Sequence, residues 1–135
     1  MKAIVWQPAN VYPSAKLGSG VSVGMFTEIG AFVEVGDDTR IGAHCFIPEG
    51  VTIGKRCFIG PMVCMTNDRF PPSDISQWEK TIVEDGASIG AGSTIICGIT
   101  IGKNSLIGCG SVVTKTVPPD EIWAGVPAVK LRNKT

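Results

Sequence analysis

An aliphatic residue or methionine occupies every sixth position through most of this chain, and that period is the strongest constraint on its fold. The series comprises Leu17, Val23, Ile29, Val35, Ile41, Ile47, Ile53, Ile59 and Met65, and after an interruption Val83, Ile89, Ile95, Ile101, Ile107 and Val113. Glycine directly follows many of these residues, and a small or β-branched residue stands four positions beyond most of them. Neither a helix, with its period of about 3.6, nor an ordinary strand, with its period of about 2, produces this pattern.

A period of six predicts a parallel β-helix in which each hexapeptide forms one short strand and the corner after it. Three strands would complete a triangular coil, so that residues 18 apart stack on one side. The aliphatic residue points into the prism, and the glycine permits the tight corner. The fifteen in-phase positions predict about five coils, which must stack because no single coil can bury its own apolar edge. We therefore expect an all-β protein with one domain over residues 1–135.

The hexapeptide pattern is interrupted at about residues 66–81, where the sequence reads TNDRFPPSDISQWEKT. Two prolines, two aspartates and the loss of the period predict a loop that leaves a corner of the prism and returns at Val83. A long loop on so regular a scaffold is usually functional, although a tolerated insertion is the alternative. Within it, Trp78 is expected to anchor the loop against the prism rather than to bind a ligand.

Composition narrows the range of functions. The formal net charge is zero, yet residues 101–135 carry a net +3 and the first hundred residues a net −3. The basic end suits a phosphorylated ligand, and a solvated terminal surface explains it equally well. The sequence has no large basic patch and no aromatic platform, so we do not expect it to bind nucleic acid. No apolar run of about 18 residues and no secretory leader is visible, so we expect a cytoplasmic protein that does not enter a membrane.

The five cysteines lie at positions 45, 57, 64, 97 and 109, without any C-x-x-C motif. Cys45, Cys57 and Cys109 fall in or near the interior register of the repeat. We therefore interpret the cysteines as small, reduced core residues rather than as disulfides or metal ligands.

The second half of the chain closely resembles the hexapeptide-repeat acyltransferases. The resemblance rests on residues 83–132, VEDGASIGAGSTIICGITIGKNSLIGCGSVVTKTVPPDEIWAGVPAVKLR, and above all on GCGSVVTKTVPP followed by AGVPA and a basic tail. It implies a left-handed prism, a homotrimer and acetyl transfer from acetyl-CoA without a metal. The donor would lie in a groove between neighbouring prisms and the acceptor near the loop.

Within that superfamily, residues 50–72, GVTIGKRCFIGPMVCMTNDRFPP, look most like bacterial N-acetyltransferases of nucleotide-linked amino sugars, which carry a similar F-x-G-P-x-x-x-x-T-N-D sequence. The implied acceptor is a dTDP- or UDP-linked amino sugar used for surface polysaccharide. Upstream, VGMFTEIG occupies the place where these enzymes meet the sugar nucleotide, which makes Phe26 and Glu28 candidate substrate-binding residues.

His44 is the only histidine, and histidine is the residue type that most often serves as a general base near neutral pH. The 18-residue repeat stacks it between Phe26 and Met62 at a corner, pointing outward. Related transferases use a histidine as base, so His44 is our candidate to accept the proton of the acceptor. A surface histidine without a role is the alternative.

The start of the loop supplies polar candidates. Asn67 is expected to hydrogen-bond the acceptor or the acetyl carbonyl, Asp68 to orient the sugar or His44, and Arg69 to meet a nucleotide diphosphate. The alternative is an Asx-type turn that starts the loop, with Arg69 in solvent.

For acetyl-CoA, the small corners around Gly92 and Gly110, with the adjacent Ser111, would let the pantetheine run close to the backbone. By resemblance, Lys115 lies near the nucleotide end of the donor, and Arg132 adds a charge from the tail. Residues 124–128, AGVPA, are interpreted as a turn with a cis Val126–Pro127 bond.

N-acetyl transfer has three alternatives. An O-acetyltransferase would keep the donor and take a sugar hydroxyl as acceptor. A non-catalytic hexapeptide scaffold is disfavoured by the complete C-terminal signature and the polar loop. A γ-class carbonic anhydrase needs three zinc-binding histidines, and this chain has one.

Overall fold

The computed structural model describes residues 1–135 and consists of short strands wound into a parallel β-helix with three sheets. The first sheet contains β1 (Ile4–Val5), β4 (Ser22–Val23), β7 (Arg40–Ile41), β10 (Phe58–Ile59), β13 (Ser88–Ile89), β16 (Leu106–Ile107), β18 (Glu121–Gly125) and β19 (Ala128–Asn133). The second contains β2 (Asn10–Val11), β5 (Glu28–Ile29), β8 (Phe46–Ile47), β11 (Cys64–Met65), β14 (Thr94–Ile95) and β17 (Val112–Val113). The third contains β3 (Lys16–Leu17), β6 (Glu34–Val35), β9 (Val51–Ile53), β12 (Thr81–Val83) and β15 (Thr100–Ile101).

The strand register reproduces the period of the sequence. Glu28 pairs with Phe46 in the second sheet and Glu34 with Thr52 in the third, each 18 residues apart. All pairings are parallel except that of β18 with β19. The predicted architecture, an all-β prism with three strands per coil, is confirmed.

The interior is filled as the hexapeptide predicts. The last residue of each hexapeptide strand from β4 to β17 is buried, and Ile29, Ile47, Ile59 and Ile89 are completely inaccessible. Twenty-four buried residues form one continuous apolar cluster. The small residues between them include Thr27, whose hydroxyl donates to the carbonyl of Gly42 at 2.8 Å, so the buried polar groups are paired.

The predicted number of coils is wrong. The first sheet alone has seven parallel strands, which gives about seven turns rather than five. Val5 and Val11 continue the six-residue phase before Leu17, but Trp6 and Tyr12 follow them instead of glycine. At the other end, Trp123 of β18 pairs with Ile107 and adds a further level outside the hexapeptide spacing.

Three rows of corners connect the sheets, and we name them by the sheets that they join. The first corner, between the first and second sheets, comprises residues 7–8, 25–26, 43–44, 61–62, 91–92 and 109–110. The second corner, between the second and third sheets, comprises residues 13–14, 31–32, 49–50, 97–98 and 115–116 together with the loop. The third corner comprises residues 19–20, 37–38, 55–56, 85–86, 103–104 and 119–120.

The predicted loop leaves from the second corner. It spans residues 66–80 between β11 and β12 and contains one short 3₁₀ helix, Ile75–Gln77, which is capped by Asp74. Thr81 then pairs with Val51, 30 residues earlier instead of 18, so the prism continues as though the insertion were absent. This confirms the excursion. The loop surface is exposed at Phe70 and Ile75.

The tail forms an antiparallel hairpin of β18 and β19 around a cis Val126–Pro127 bond, as predicted. Ala128, the first residue of β19, is buried and belongs to the apolar cluster. All five cysteines are free. Cys45 and Cys57 are buried as expected, but the placement of Cys109 is wrong because it is exposed on the first corner, whereas Cys97 is buried. No helix here has the length and apolar character needed to span a bilayer.

Candidate active site

His44 lies on a stacked row of exposed side chains along the first corner. Phe26, His44 and Met62 occupy successive levels with φ of 64°, 59° and 60°. The left-handed backbone is held by main-chain bonds between levels, including His44 N to Met25 O at 3.0 Å and Met62 N to Ala43 O at 2.9 Å. The imidazole stacks on the Phe26 ring, with centroids 4.9 Å apart and an interplanar angle of 26°. The exposed imidazole is therefore oriented by packing.

At the two levels above Met62, the position that carries Phe26, His44 and Met62 lower on the same corner is glycine. Gly92 and Gly110 have φ of 72° and 70°, and a Cβ built on either residue would meet no atom within 4 Å. Since the levels below accept side chains in the same backbone conformation, packing within the chain does not require glycine at these two positions. The result is an open backbone track that starts one level above Met62.

The other residues predicted to bind the donor are not all on this track. Ser111 adjoins Gly110, but its side chain is buried, donates to Gly108 O at 2.6 Å and accepts from Gly125 N at 3.2 Å. It therefore ties the tail to the prism, which leaves its hydroxyl occupied. Lys115 is exposed on the second corner, and Arg132 is exposed on β19, where it donates to Asn133 O at 3.1 Å.

The base of the loop fixes Asn67 at the second corner. Its side-chain amide donates to Glu49 O at 3.0 Å, one level below, and its main-chain carbonyl accepts from Glu79 N at 2.8 Å. Asp68 accepts from Ser73 N at 2.7 Å. The carboxylate of Asp68 therefore stabilises the start of the loop through a bond to the fifth residue after it, rather than to the second as in an Asx turn. Asn67 lies at the end of the second-sheet strands, on the second corner.

Arg69 contacts another part of the loop in the structure. It donates from Nε to Glu79 Oε2 at 2.7 Å and from a terminal nitrogen to Cys97 O at 2.7 Å. The hydrogen bond from Arg69 lowers the pKa of the Glu79 carboxyl, and the same bond raises the pKa of Arg69. The guanidinium is thus engaged in closing the loop, and the predicted diphosphate contact stays a prediction.

A recess of about 150 Å³ lies beside Asn67. It is lined by Tyr12, Glu28, Phe46, Glu49, Asn67 and Trp78, with small residues between them. Of the predicted site residues it brings together Glu28 and Asn67. A larger recess of about 320 Å³ on the third sheet, beside Ile82 and Lys103, contains none of them. The aromatic and polar lining favours the smaller recess as a ligand contact.

The candidate residues therefore fall into two groups, at the two corners that lie before and after the strands of the second sheet. His44 and Phe26 lie with the glycine track on the first corner, and Asn67 and Lys115 lie on the second. One side of the prism separates them. From His44 to Glu49, directly below Asn67, five nearly extended residues span on the order of 15 Å. A single reacting atom cannot contact both His44 and Asn67 of the same chain.

Sequence reasoning missed the partners that organise this region. Glu79 lies ten residues from Arg69 on the far side of the loop, and Glu49, Tyr12 and Phe46 line the recess. The 18-residue stacking places Glu49 below Asn67 and could have identified it. No comparable signal points to Glu79, because the loop has no period.

Comparisons with known proteins support the fold and show the family. Residues 14–49, 32–67 and 80–115 match the family model described as bacterial transferase hexapeptide (six repeats). Among curated proteins, the bifunctional protein GlmU from Rubrobacter xylanophilus is 33% identical over 60 residues, which are 44% of this chain and 13% of that protein.

Solved structures extend the likeness to nearly the whole chain. A histidine-to-alanine mutant of GDP-perosamine N-acetyltransferase from Caulobacter crescentus, in complex with CoA and GDP-perosamine, is 28% identical with a TM-score of 0.84, over 95% of this chain and 55% of that one. A galactoside acetyltransferase in complex with coenzyme A is 26% identical with a TM-score of 0.79, over 89% and 65%. This chain thus spans little more than half the length of the first of these.

Proposed function

Because the chain belongs to the bacterial hexapeptide transferase family, we propose that it transfers an acetyl group from acetyl-CoA to the amine of a nucleotide-linked amino sugar. The observation that carries this proposal is the first corner, where the only histidine lies two levels below an open glycine track. The likeness to a transferase crystallised with CoA and a GDP-linked sugar supports both substrates.

The track suits a thin, extended donor. With no side chain at Gly92 or Gly110 and open space beside both, a pantetheine arm can lie against the main chain and hydrogen-bond to it. Successive levels are about 4.8 Å apart, so His44 lies about 10 Å below the start of the track. A thioester at the lower end of such an arm would reach the neighbourhood of the imidazole.

The residues can then promote the chemistry. The acceptor nitrogen attacks the thioester carbon, the carbon–sulfur bond breaks and CoA leaves as a thiolate. His44 accepts the proton lost by nitrogen, and its contribution is smaller than the roughly 10²- to 10⁴-fold of a general base that activates a hydroxyl, because a neutral amine is already a good nucleophile. Holding the two reactants in line contributes further, by removing the entropy cost of their encounter. Asn67 donates to the acetyl oxygen or to the acceptor.

The split between the two corners favours a homotrimer as the active form. His44 lies on the first corner and Asn67 on the second, at opposite ends of the second-sheet strands, and Gly110 and Lys115 are separated in the same way. One interface unites both pairs if the first corner of one chain faces the second corner of its neighbour. Such a contact joins different surfaces and closes only as a ring, for which a triangular prism suggests three members.

The finer features of the proposal concern the acceptor and its setting. A dTDP- or UDP-linked amino sugar for surface polysaccharide is the expected acceptor class, and the likeness to the Caulobacter enzyme adds GDP-linked sugars to those worth testing. We propose the cytoplasm as the site of the reaction, since acetyl-CoA and nucleotide sugars are made there.

The second candidate is O-acetylation of a sugar, which the likeness to galactoside acetyltransferase favours. The dependence on His44 separates the two reactions. A neutral amine is already a good nucleophile, and the departing thiolate can take its proton. A hydroxyl needs the base, so the H44A variant should lose about 10²- to 10⁴-fold in kcat with a hydroxyl acceptor and much less with an amine.

The test is release of CoA from acetyl-CoA in the presence of dTDP-, UDP- and GDP-amino sugars, with plain sugars as controls. We expect turnover with an amino sugar and a kcat for H44A that is lower than that of the wild type between pH 6 and 9. A wild-type kcat for H44A across this range would refute its role as base. Failure to bind acetyl-CoA in calorimetry would refute acetyl transfer and support the scaffold alternative.

A further inference from the structure

An ion pair closes the base of the loop. Arg69, near the start of residues 66–80, meets Glu79, near their end, through two hydrogen bonds of 2.7 Å and 3.2 Å. Two-point contact between a guanidinium and a carboxylate fixes orientation as well as distance. Elsewhere in the chain the only other ion pair joins Lys130 and Glu121 in the tail, so the loop is the one part of the prism closed by such a pair.

The corner above the loop is shaped to receive this pair. Arg69 also donates to Cys97 O at 2.7 Å, which joins the loop to the next coil. The following residue, Gly98, has a φ of 82°, and a Cβ there would run into Glu79 Oε1 and lie 2.8 Å from the Arg69 terminal nitrogen. Glycine is therefore needed at position 98 for the ion pair to sit against the prism.

The pair lies directly beside the residues that face the recess. The Glu79 main-chain N–H donates to Asn67 O at 2.8 Å, and Trp78 precedes Glu79 in the chain. Asn67 and Trp78 both line the recess. The outer part of the loop supplies no comparable anchor, because Phe70 and Ile75 are largely exposed. The position of both lining residues thus depends on contacts at the base of the loop.

We propose that Arg69 and Glu79 are positioning residues, which hold Asn67 and Trp78 on the recess in the geometry that receives the acceptor. This inference rests on the proposed function for the identity of that ligand. It assigns to Arg69 a task different from the diphosphate contact expected from the sequence. Without the pair, the fold persists, but the loop samples positions in which the recess is incomplete.

The test compares E79Q, which keeps the shape of the side chain and removes its charge, with R69K, which keeps the charge and removes the two-point contact. E34Q is the matched control, because Glu34 is exposed on the third sheet and its side chain makes no hydrogen bond. The first readout needs no substrate. Limited trypsin digestion followed by mass spectrometry measures cleavage after Arg69 or Lys80, both of which border the loop.

We expect cleavage at these bonds to be about threefold or more faster in E79Q, with melting temperatures close to that of the wild type, because the opening is local. Equal cleavage rates in E79Q, E34Q and the wild type would overturn the proposal. So would a collapse of the melting temperature in both E79Q and R69K, since the pair would then support the whole fold.

The second readout is kinetic. Misplacement of Asn67 should raise the KM for the acceptor about ten- to a hundredfold, and the KM for acetyl-CoA should change less than about twofold. The effect should be larger in E79Q than in R69K, where one hydrogen bond and the charge remain. A loosened loop with unchanged acceptor kinetics would overturn the positioning role. If no acceptor supports turnover, the proposed function fails, and the cleavage assay still decides whether the pair holds the loop.

Discussion

Substituting Gly92 with asparagine tests the donor track more sharply than any change of charge. A Cβ at Gly92 meets nothing within 4 Å, and the left-handed φ of 72° at this position is one that asparagine tolerates. Asn104 already adopts a φ of 59° in this chain. The new side chain would therefore fit the isolated prism and project into the space assigned to the pantetheine arm.

The cost to stability should be small. Asparagine in the left-handed region is less favourable than glycine by about 1 kcal/mol or less, which lowers the melting temperature of a domain of this size by only a few degrees, about 2 to 5 °C. A donor pushed off the track loses about one or two main-chain hydrogen bonds of about 1 kcal/mol each. The KM for acetyl-CoA should therefore rise about tenfold.

Gly24→Ala, directly before the same corner, is the contrasting variant. Its Cβ would lie 2.5 Å from Ala43 N and 2.6 Å from the Gly42 carbonyl carbon, so two coils must move apart. The cost is about 1 to 3 kcal/mol or more, with a larger fall in melting temperature than in G92N. Steady-state kinetics with both substrates and thermal melting supply the measurements. An unchanged KM for acetyl-CoA in G92N would refute the track as the donor site.

Three further predictions concern single residues. Lys115→Glu should raise the KM for acetyl-CoA more than that for the acceptor, and unchanged donor kinetics would contradict its assignment. The hydrogen bond from Arg69 lowers the pKa of Glu79. The ion pair should therefore hold the loop closed at every pH above the ordinary glutamate pKa, and the loop should open as the pH falls through the lowered pKa of Glu79 in the folded protein. Hydrogen exchange at Glu79 N–H, corrected for its intrinsic rate, should be steady from pH 8 to about 5 and rise at lower pH, whereas a flat profile would contradict this. Thr39 is buried, and its hydroxyl donates to Gly54 O at 2.7 Å and accepts from Cys57 N at 3.0 Å. Thr39→Val removes both bonds and should lower the free energy of unfolding, measured by denaturant titration, by about 2 to 5 kcal/mol. Thr39→Ser keeps the hydroxyl and should lower it by much less.

Much of the architecture could be predicted because the hexapeptide period carries it. The phase of the aliphatic residues gives the strand register, and the stacking of Phe26, His44 and Met62 follows from their spacing of 18. The count of coils was wrong because Val5 and Val11 lack the glycine that marks the other coils. The terminal hairpin also adds a level, at Trp123, by a spacing that is not periodic.

The candidate site was harder to predict for physical reasons. The six-residue spacing alone gives the corner on which a residue lies. The family resemblance assigns both Lys115 and Gly110 to the donor, yet the two residues lie on different corners, and a full side of the prism separates them. In the loop, side-chain pairs such as Arg69 and Glu79 depend on how the chain folds back, which no period encodes. Ser111 lies at an interior position of the repeat, so its burial could have been anticipated from the same pattern as Thr27.

Complementation between inactive variants tests most directly whether acetyl transfer occurs between the first corner of one chain and the second corner of its neighbour. H44A and N67A are each expected to lose most of their acetyl-CoA-dependent activity. When the two are unfolded, mixed in equal amounts and refolded, about one interface in four should combine an intact His44 with an intact Asn67. The account predicts recovery of about a quarter of the wild-type activity, and a mixture no more active than its two parents would contradict it.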